Sequence, residues 1–256
     1  MPPGIDLSHR AAIVTGAGSG IGQATAMLLA EAGASVVVVG RNAEHLAALA
    51  RDLRRRGTLH AVVRGDVAHQ ATARRAVAAC VRRFGRLDIL VNNAGTAMMK
   101  SVPETSLAEW NHVLATNLTS VYLFSHFAIP EMERLGGGSV INVASEAGIV
   151  GFRGYAAYSA SKAAIVNLSR AMALDHAARG IRVNSVCPGS IETPLLEAYY
   201  RAFPDPAAER EADAAAHPLG IGQPADVAWG ILYLASDQAR YVTGHALVID
   251  GGFTAQ

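Results

Sequence analysis

Cysteine and charged residues are both scarce in this 256-residue sequence. The two cysteines, Cys80 and Cys187, lie far apart and lack the spacing of metal ligands. They argue against a disulfide scaffold or a cysteine-rich zinc site and favour a reducing compartment. Charged residues make up 17% of the chain, against about 25% in an average domain, whereas 51% of the residues are hydrophobic. The composition therefore excludes a disordered chain and permits a sizeable core.

The sequence also has no excess of charge of one sign, since 22 basic residues balance 21 acidic ones. This balance gives no electrostatic basis for binding nucleic acid or an anionic membrane. Two uncharged stretches, residues 11–30 and 110–130, are interrupted by glycine or polar residues and suit a buried core better than a bilayer span of about 20 apolar residues. The N-terminus lacks the basic start and apolar run of a signal peptide, so we expect a cytoplasmic protein.

Short β-rich segments alternate with longer helical segments along the chain. The pattern predicts seven strands, at residues 11–15, 35–39, 60–64, 88–91, 139–143, 181–186 and 246–249. It predicts helices at residues 21–32, 43–56, 70–84, 107–135, 156–178 and 224–235. Parallel strands need crossover connections, and these are right-handed. We therefore expect an α/β protein in which residues 1–256 form a single-domain Rossmann fold, with a doubly wound, seven-stranded parallel sheet and helices on both faces.

One segment, residues 195–217, interrupts this alternation with two prolines and many charges, and we interpret it as an irregular lid over a substrate cleft.

A glycine-rich turn, TGAGSGIG at residues 15–22, joins the first strand to the first helix. Gly16 permits a sharp turn, Gly20 lets the backbone approach a pyrophosphate, and Gly22 allows close helix packing. The N-terminus of the helix offers free N–H groups and the positive end of its dipole to an anion. The alternative is an ordinary glycine-rich turn, but its position at the first strand–helix junction favours a nucleotide site.

A series of motifs that begins with this turn resembles the short-chain dehydrogenase/reductase family over nearly the whole chain. The matching segments are residues 15–22, Asp66-Val67, residues 92–95 (NNAG), Asn117, Ser145, residues 158–162 (YSASK), Pro188-Gly189 and residues 250–252 (DGG). The resemblance implies an NAD(P)-dependent oxidoreductase acting on CH–OH or C=O groups, 3-oxoacyl-thioester reduction included. It implies the catalytic residues Asn117, Ser145, Tyr158 and Lys162, and no metal.

The end of the second strand bears on the choice between NAD and NADP, because the adenine ribose lies there in such folds. Residues 39–42 read VGRN and contain no carboxylate to accept hydrogen bonds from a ribose 2′-hydroxyl. Arg41 could instead pair bidentately with a 2′-phosphate, or it could merely begin the next helix in solvent. The resemblance also points to NADP, which we expect, with NAD as the alternative. It further implies that Asp66 accepts from the adenine amino group and that Val67 packs beside the ring, although Asp66 could instead cap a helix.

Tyr158 and Lys162 are four residues apart on one predicted helix, so they share a face. A phenol has a pKa of about 10, which a nearby ammonium and an oxidised nicotinamide ring could lower far enough for proton exchange with a substrate oxygen near neutrality. Ser145, at the carboxyl edge of the sheet, could polarise that oxygen or could cap a turn. By resemblance, Asn117 holds a water chain from Lys162; otherwise it is a polar residue satisfied within a helix.

The resemblance extends to further cofactor contacts and to assembly. Besides Gly16, Gly20, Gly22, Arg41, Asp66, Val67, Tyr158 and Lys162, the expected cofactor contacts are Ser19, Ile21, Asn93, Ala94, Gly95, Pro188, Gly189, Ile191 and Thr193. Residues 246–253 resemble the segment through which family members associate, which with the low charge favours a homotetramer. One departure is Ile221, where the family usually has an arginine after Pro218-Leu219-Gly220, and it puts the anchoring of the lid in doubt.

We expect the substrate pocket to be lined by residues 96–100, residues 146–155 and the predicted lid. From the lid we expect the apolar and aromatic side chains Leu195, Leu196, Tyr199, Tyr200 and Phe203 to contribute. A lining with few fixed charges favours a small, moderately hydrophobic ketone or secondary alcohol. The competing hypotheses are an NAD-dependent member of the same family and a nucleotide-binding regulator without catalysis. A regulator need not retain Tyr158 and Lys162.

Overall fold

Runs of β-branched and small apolar residues form the central sheet in the computed structural model, which describes residues 4–256. The strands are β1 (Ala11–Thr15), β2 (Ser35–Gly40), β3 (His60–Arg64), β4 (Ile89–Asn92), β5 (Gly138–Val143), β6 (Ile181–Pro188) and β7 (Ala246–Ile249). All neighbouring strands pair in parallel, in the order β3-β2-β1-β4-β5-β6-β7. The sheet confirms the predicted seven-stranded, doubly wound Rossmann fold.

Helices cover both faces of the sheet. They are α1 (Gly20–Glu31), α2 (Ala43–Arg55), α3 (Gln70–Phe84), α4 (Leu107–Leu114), α5 (Ser120–Arg134), α6 (Ala156–His176), α7 (Pro194–Tyr200), α8 (Pro206–Ala216) and α9 (Pro224–Ala235). Because side chains alternate along a strand, Ala12 and Val14 of β1 enter the core that contains α1 and α9, whereas Ala11 and Ile13 enter the core of α3 and α5. None of the helices described for residues 4–256 is long and apolar enough to cross a membrane.

The helix predicted over residues 107–135 is interrupted. A π-helical segment, Ala115–Thr119, separates α4 from α5 and contains Asn117. The Asn117 side chain is fully buried; its Oδ1 accepts from the Thr96 N–H at 2.8 Å, and its Nδ2 donates to the Thr96 carbonyl at 2.9 Å. Such wide turns are rare and often lie at functional sites. The apolar periodicity of the sequence continues across this turn, which is why it predicted a single helix. The structure shows that this prediction was wrong.

The segment over residues 195–217 is also more regular than its sequence indicated. It forms most of α7 together with α8; of its two prolines, Pro204 lies between these helices and Pro206 begins α8. Pro194 and Pro206 occupy first-turn positions, where a missing N–H costs nothing, and the side chains of Thr193 and Asp205 cap the two helices. The prediction of an irregular segment was therefore wrong.

Candidate active site

A cleft opens at the carboxyl ends of the central strands, where the chain order reverses between β1 and β4. Its volume of about 450 Å³ is in the range of small-molecule sites. Most of the site residues predicted from the sequence line this cleft: Gly16, Ser19, Gly20, Ile21, Arg41, Asp66, Val67, Asn93, Ala94, Gly95, Ser145, Tyr158, Lys162, Pro188, Gly189, Ile191 and Thr193. Gly22 and Asn117 are not part of the lining, and both lie directly behind it.

The glycine-rich turn has no room for side chains. Gly16 and Gly20 have φ angles of 65° and 53°, which favour glycine. A Cβ on Gly20 would lie 2.8 Å from Thr193 Cγ2, and one on Gly22 would lie 2.3 Å from the Gly16 carbonyl oxygen. Ser19 precedes α1 in an extended conformation without a capping side-chain bond, so the first N–H groups of α1 have no side-chain acceptor there. This bare helix N-terminus fits the pyrophosphate of a dinucleotide.

Replacing Gly22 with Ala is expected to destabilise the protein by about 3 kcal/mol, because backbone atoms must move to accommodate the new methyl group. Urea unfolding measures the loss. Gly151→Ala is the matched control, since a Cβ there meets no atom within 4 Å. Equal stability of the two variants would contradict the tight packing at Gly22.

The far end of the cleft contains the positively charged group expected from the sequence. Arg41 is 70% exposed, and its Nη1 lies 4.0 Å from Asp66 Oδ2. Helix α2 begins only at Ala43 and is capped by Asn42, so Arg41 lies outside the helix. Asp66 is not the N-cap of α3, a position held by His69. Asn42 and His45 also line this end of the cleft, and sequence reasoning missed both of them.

Three candidate catalytic side chains come together at the other end of the cleft. Lys162 is buried, and its Nζ donates to the Val143 carbonyl at 2.9 Å and lies 5.6 Å from the centre of the Tyr158 ring. Ser145 Oγ accepts from the Ala147 N–H at 3.1 Å, and Ser145 also lines the cleft. The side chain can therefore cap the turn and still contact a ligand. Asn117 lies behind this group and donates to Ser161 Oγ at 3.0 Å.

Known proteins resemble this chain over nearly its whole length. A family profile described as enoyl-(acyl carrier protein) reductase matches residues 16–254. The cis-4-hydroxycyclohexanecarboxylate dehydrogenase of Sinomonas cyclohexanicum is 43% identical over 250 residues, which cover 97% of this chain and 98% of that protein. The cyclohexanol dehydrogenase of an Acinetobacter species is 37% identical over 251 residues, covering 97% and 96%. A short-chain dehydrogenase/reductase structure from Mycobacterium marinum superposes with a TM-score of 0.92 at 36% identity, covering 98% of both chains.

The chain belongs to the short-chain dehydrogenase/reductase family. The family resemblance inferred from the motifs is confirmed, and with it the expectation of an NAD(P)-dependent oxidoreductase that acts on CH–OH or C=O groups.

Burial dominates the electrostatics of the tyrosine–lysine pair in this short-chain dehydrogenase/reductase. It lowers the pKa of Lys162 to about 8. It also raises the pKa of Tyr158, which a hydrogen bond with Ser145 lowers and the nearby charge of Glu146 raises further. The sequence suggested that the Lys162 ammonium helps to lower the pKa of Tyr158. Among residues 4–256, burial instead raises this pKa.

The substrate end of the cleft is aromatic but contains more charge than expected. Its lining includes Thr96, Ala97, Phe152, Tyr155, Leu195, Leu196 and Tyr199, all within the three predicted segments. Met98, Met99, Tyr200 and Phe203, also in those segments, are not part of the lining. The carboxylates of Glu146 and Asp213 line the cleft too, and the low charge of the predicted pocket gave no indication of Asp213.

Proposed function

We propose that this protein transfers a hydride between NADP(H) and the carbonyl or secondary alcohol of a small, moderately hydrophobic substrate, with Tyr158 as the acid and base. The observation that carries the proposal is the convergence of Ser145, Tyr158 and Lys162 on the same cleft as the glycine-rich turn. Two relatives have names that specify alcohols on a six-membered ring. They support a cyclic secondary alcohol or the corresponding ketone as the substrate class.

The proposed mechanism assigns one role to each side chain. A bound nicotinamide ring supplies or accepts the hydride at the substrate carbon. Tyr158 gives its phenolic proton to the substrate oxygen in reduction and takes it back in oxidation. The Ser145 hydroxyl donates a hydrogen bond to the same oxygen. The Lys162 ammonium stabilises the phenolate and binds the cofactor ribose, while the hydrogen bonds of Asn117 hold the segment at Thr96 in place.

NADP is supported over NAD by the absence of a carboxylate at the end of β2 and by the exposed Arg41 guanidinium in the cleft. The assignment of Asp66 as the acceptor for the adenine amino group is supported by its position in the cleft and by its Oδ1, which accepts only from the nearby Ala68 N–H among the described residues. An NAD-dependent activity is the alternative, and the weak ion pair between Arg41 and Asp66 is the observation that favours it, because it partly neutralises the guanidinium.

Two further proposals concern the lid and the assembly. Residues 195–217 form a substrate lid, supported by the pocket contacts of Leu195, Leu196 and Tyr199. A homotetramer is supported by the apolar side chains of Trp229, Tyr233 and Val248, which remain exposed on α9 and β7.

A panel of cyclic and acyclic alcohols and ketones, assayed by NADPH or NADH absorbance, tests the proposed activity. We expect oxidation of cyclohexanol-type alcohols with NADP and reduction of the matching ketones with NADPH. Binding of either cofactor without turnover of any substrate would contradict the enzymatic proposal and favour a nucleotide-binding regulator.

A further inference from the structure

Glu146 and His217 form a buried polar contact beside the candidate catalytic residues. Glu146 follows Ser145 in the turn after β5, and His217 follows α8; they are 5% and 3% exposed. The distance between Glu146 Oε2 and His217 Nε2 is 3.4 Å. Polar side chains of this kind are rarely buried unless they are paired, so the contact needs a physical explanation.

The surroundings of the His217 ring determine which of its nitrogens carries a proton. Nδ1 lies 2.8 Å from the Asp213 carbonyl oxygen, which can only accept, so Nδ1 donates. Nε2 lies 3.3 Å from the Ser190 N–H, which donates to it. The ring also stacks on Phe253, with ring centres 4.9 Å apart. Both contacts fit the ring tautomer that has its proton on Nδ1 and a lone pair on Nε2.

One oxygen of the Glu146 carboxyl, Oε2, has no hydrogen-bond donor among the described residues. Oε2 is buried and has no hydrogen-bond partner among residues 4–256, although it faces the Nε2 lone pair. Two acceptors in contact are unfavourable, and a proton on Oε2 converts the contact into an O–H donor facing a nitrogen acceptor.

The other titratable groups around Glu146 favour the same protonation. Asp213 of α8 accepts from the Ser190 and Tyr200 hydroxyls, and Asp250 after β7 accepts from the Gly252 and Thr254 N–H groups. Both carboxyl groups thus have hydrogen-bond donors of their own. Burial raises the pKa of Glu146 to about 7, and the charges of Asp250 and Asp213 add to the increase. The opposing effect of His217 on this pKa requires a ring that donates from Nε2, whereas the Ser190 N–H donates to Nε2.

We propose that Glu146 carries a proton directed at Nε2 of His217, and that loss of this proton places a negative charge beside Tyr158 and opposes the ionisation of the phenol. Glu146 is then a positioning residue that acts through Tyr158, the group on α6 that its charge affects. The part of this inference that concerns turnover rests on the proposed role of Tyr158. Below neutral pH Glu146 is uncharged, and above it the Glu146 carboxyl and the Tyr158 phenol oppose each other's ionisation.

An infrared titration of the protein without substrate tests the proton on Glu146. The wild type is expected to show the C=O stretch of a protonated carboxyl that disappears as the pH rises through about 7, and Glu146→Gln is expected to lack this band. His217→Asn removes Nε2, the acceptor of this proton, so the band should disappear at a lower pH than in the wild type. A wild-type spectrum without a Glu146-dependent band would overturn the proposal.

Ultraviolet titration of tyrosinate tests the link to Tyr158 without any need for activity. The spectrum of each protein minus that of its Tyr158→Phe counterpart isolates the single phenol. The midpoint for Tyr158 should be lower in Glu146→Gln than in the wild type, because a neutral amide replaces the opposing charge. An identical midpoint in the two proteins would overturn the link, whether or not the protein turns over an alcohol.

The pH dependence of alcohol oxidation gives the corresponding kinetic result. Near pH 6 the protonated Glu146 resembles glutamine, so the kcat/KM values of Glu146→Gln and the wild type should differ least there. At about pH 8 the ratio of the variant's kcat/KM to that of the wild type should be roughly threefold higher than near pH 6, because one opposing charge has been removed. A ratio independent of pH would indicate a merely structural role and contradict the inference, whereas a lack of Tyr158-dependent turnover would contradict only the proposed function.

Discussion

Replacing Tyr158 with Phe is expected to lower kcat/KM for alcohol oxidation by about three orders of magnitude, which is within the range for loss of a general acid or base. The variant loses one oxygen atom and retains the ring that lies beside the Lys162 ammonium. Steady-state kinetics measure the loss, and the titration of cofactor fluorescence shows that the dinucleotide still binds. The effect should fall on kcat, since the phenol acts in the proton-transfer step.

Tyr155→Phe is the matched control, because Tyr155 lines the same cleft and packs against Tyr158 with ring centres 5.8 Å apart. Burial raises the pKa of Tyr155, the charges of Asp213 and Glu209 raise it further, and Tyr155 lacks the hydrogen bond with Ser145 that opposes the increase at Tyr158. We expect a loss of less than about tenfold, mainly in KM. Wild-type turnover by Tyr158→Phe, or equal losses in both variants, would refute the assignment of Tyr158.

Replacing Arg41 with Ala should weaken NADPH binding about 30-fold and leave NADH binding nearly unchanged. A charge-assisted hydrogen bond between a guanidinium and a phosphate is worth about 2 kcal/mol, and only NADPH has the 2′-phosphate. The removal of Arg41 also frees Asp66, whose Oδ2 lies 4.0 Å from the guanidinium. Isothermal titration with each cofactor measures the difference.

Arg51→Ala provides the charge control for this comparison. Arg51 is an exposed cation on α2 that does not line the cleft, so its loss changes the net charge without removing a ligand contact. We expect no more than a small, salt-dependent decrease in affinity for both cofactors. Equal weakening of NADPH and NADH by Arg41→Ala would exclude recognition of the 2′-phosphate by this residue.

The sequence predicted the sheet well because the physical rule behind it is local. Residues 35–39 form an unbroken apolar run, which is typical of a strand buried on both faces, and β2 occupies this position at Ser35–Gly40. The candidate site follows from the same rule, since Asn93, Ser145 and Pro188 all lie at or just beyond the carboxyl ends of parallel strands. Their meeting in one cleft could be predicted without knowledge of any long-range contact.

Features that depend on distant partners could not be predicted in this way. The π-helical turn at Asn117 is coupled to backbone groups of Thr96, which lies 21 residues earlier in the chain. His217 is an isolated histidine in the sequence, and its contact with Glu146 depends on how the end of α8 packs against the turn after β5. No periodicity or motif records such contacts. The departure at Ile221 left the anchoring of the lid open, and in the structure His217 provides contacts to Ser190 and Asp213 in this loop.

The central position of β1 has a consequence for how the chain acquires its structure during synthesis. β1 pairs with β2, where Ala12 lies opposite Val36, and with β4, where Ala12 lies opposite Ile89. The pairing of β1 with β2 can form early. The pairing of β1 with β4 must wait until about 75 residues after Ala12 have emerged from the ribosome, because Ala12 pairs with Ile89. During that interval an apolar strand edge is open to pairing with other chains. Rapid expression at high temperature should therefore favour aggregation of the nascent chain over the slower completion of the sheet.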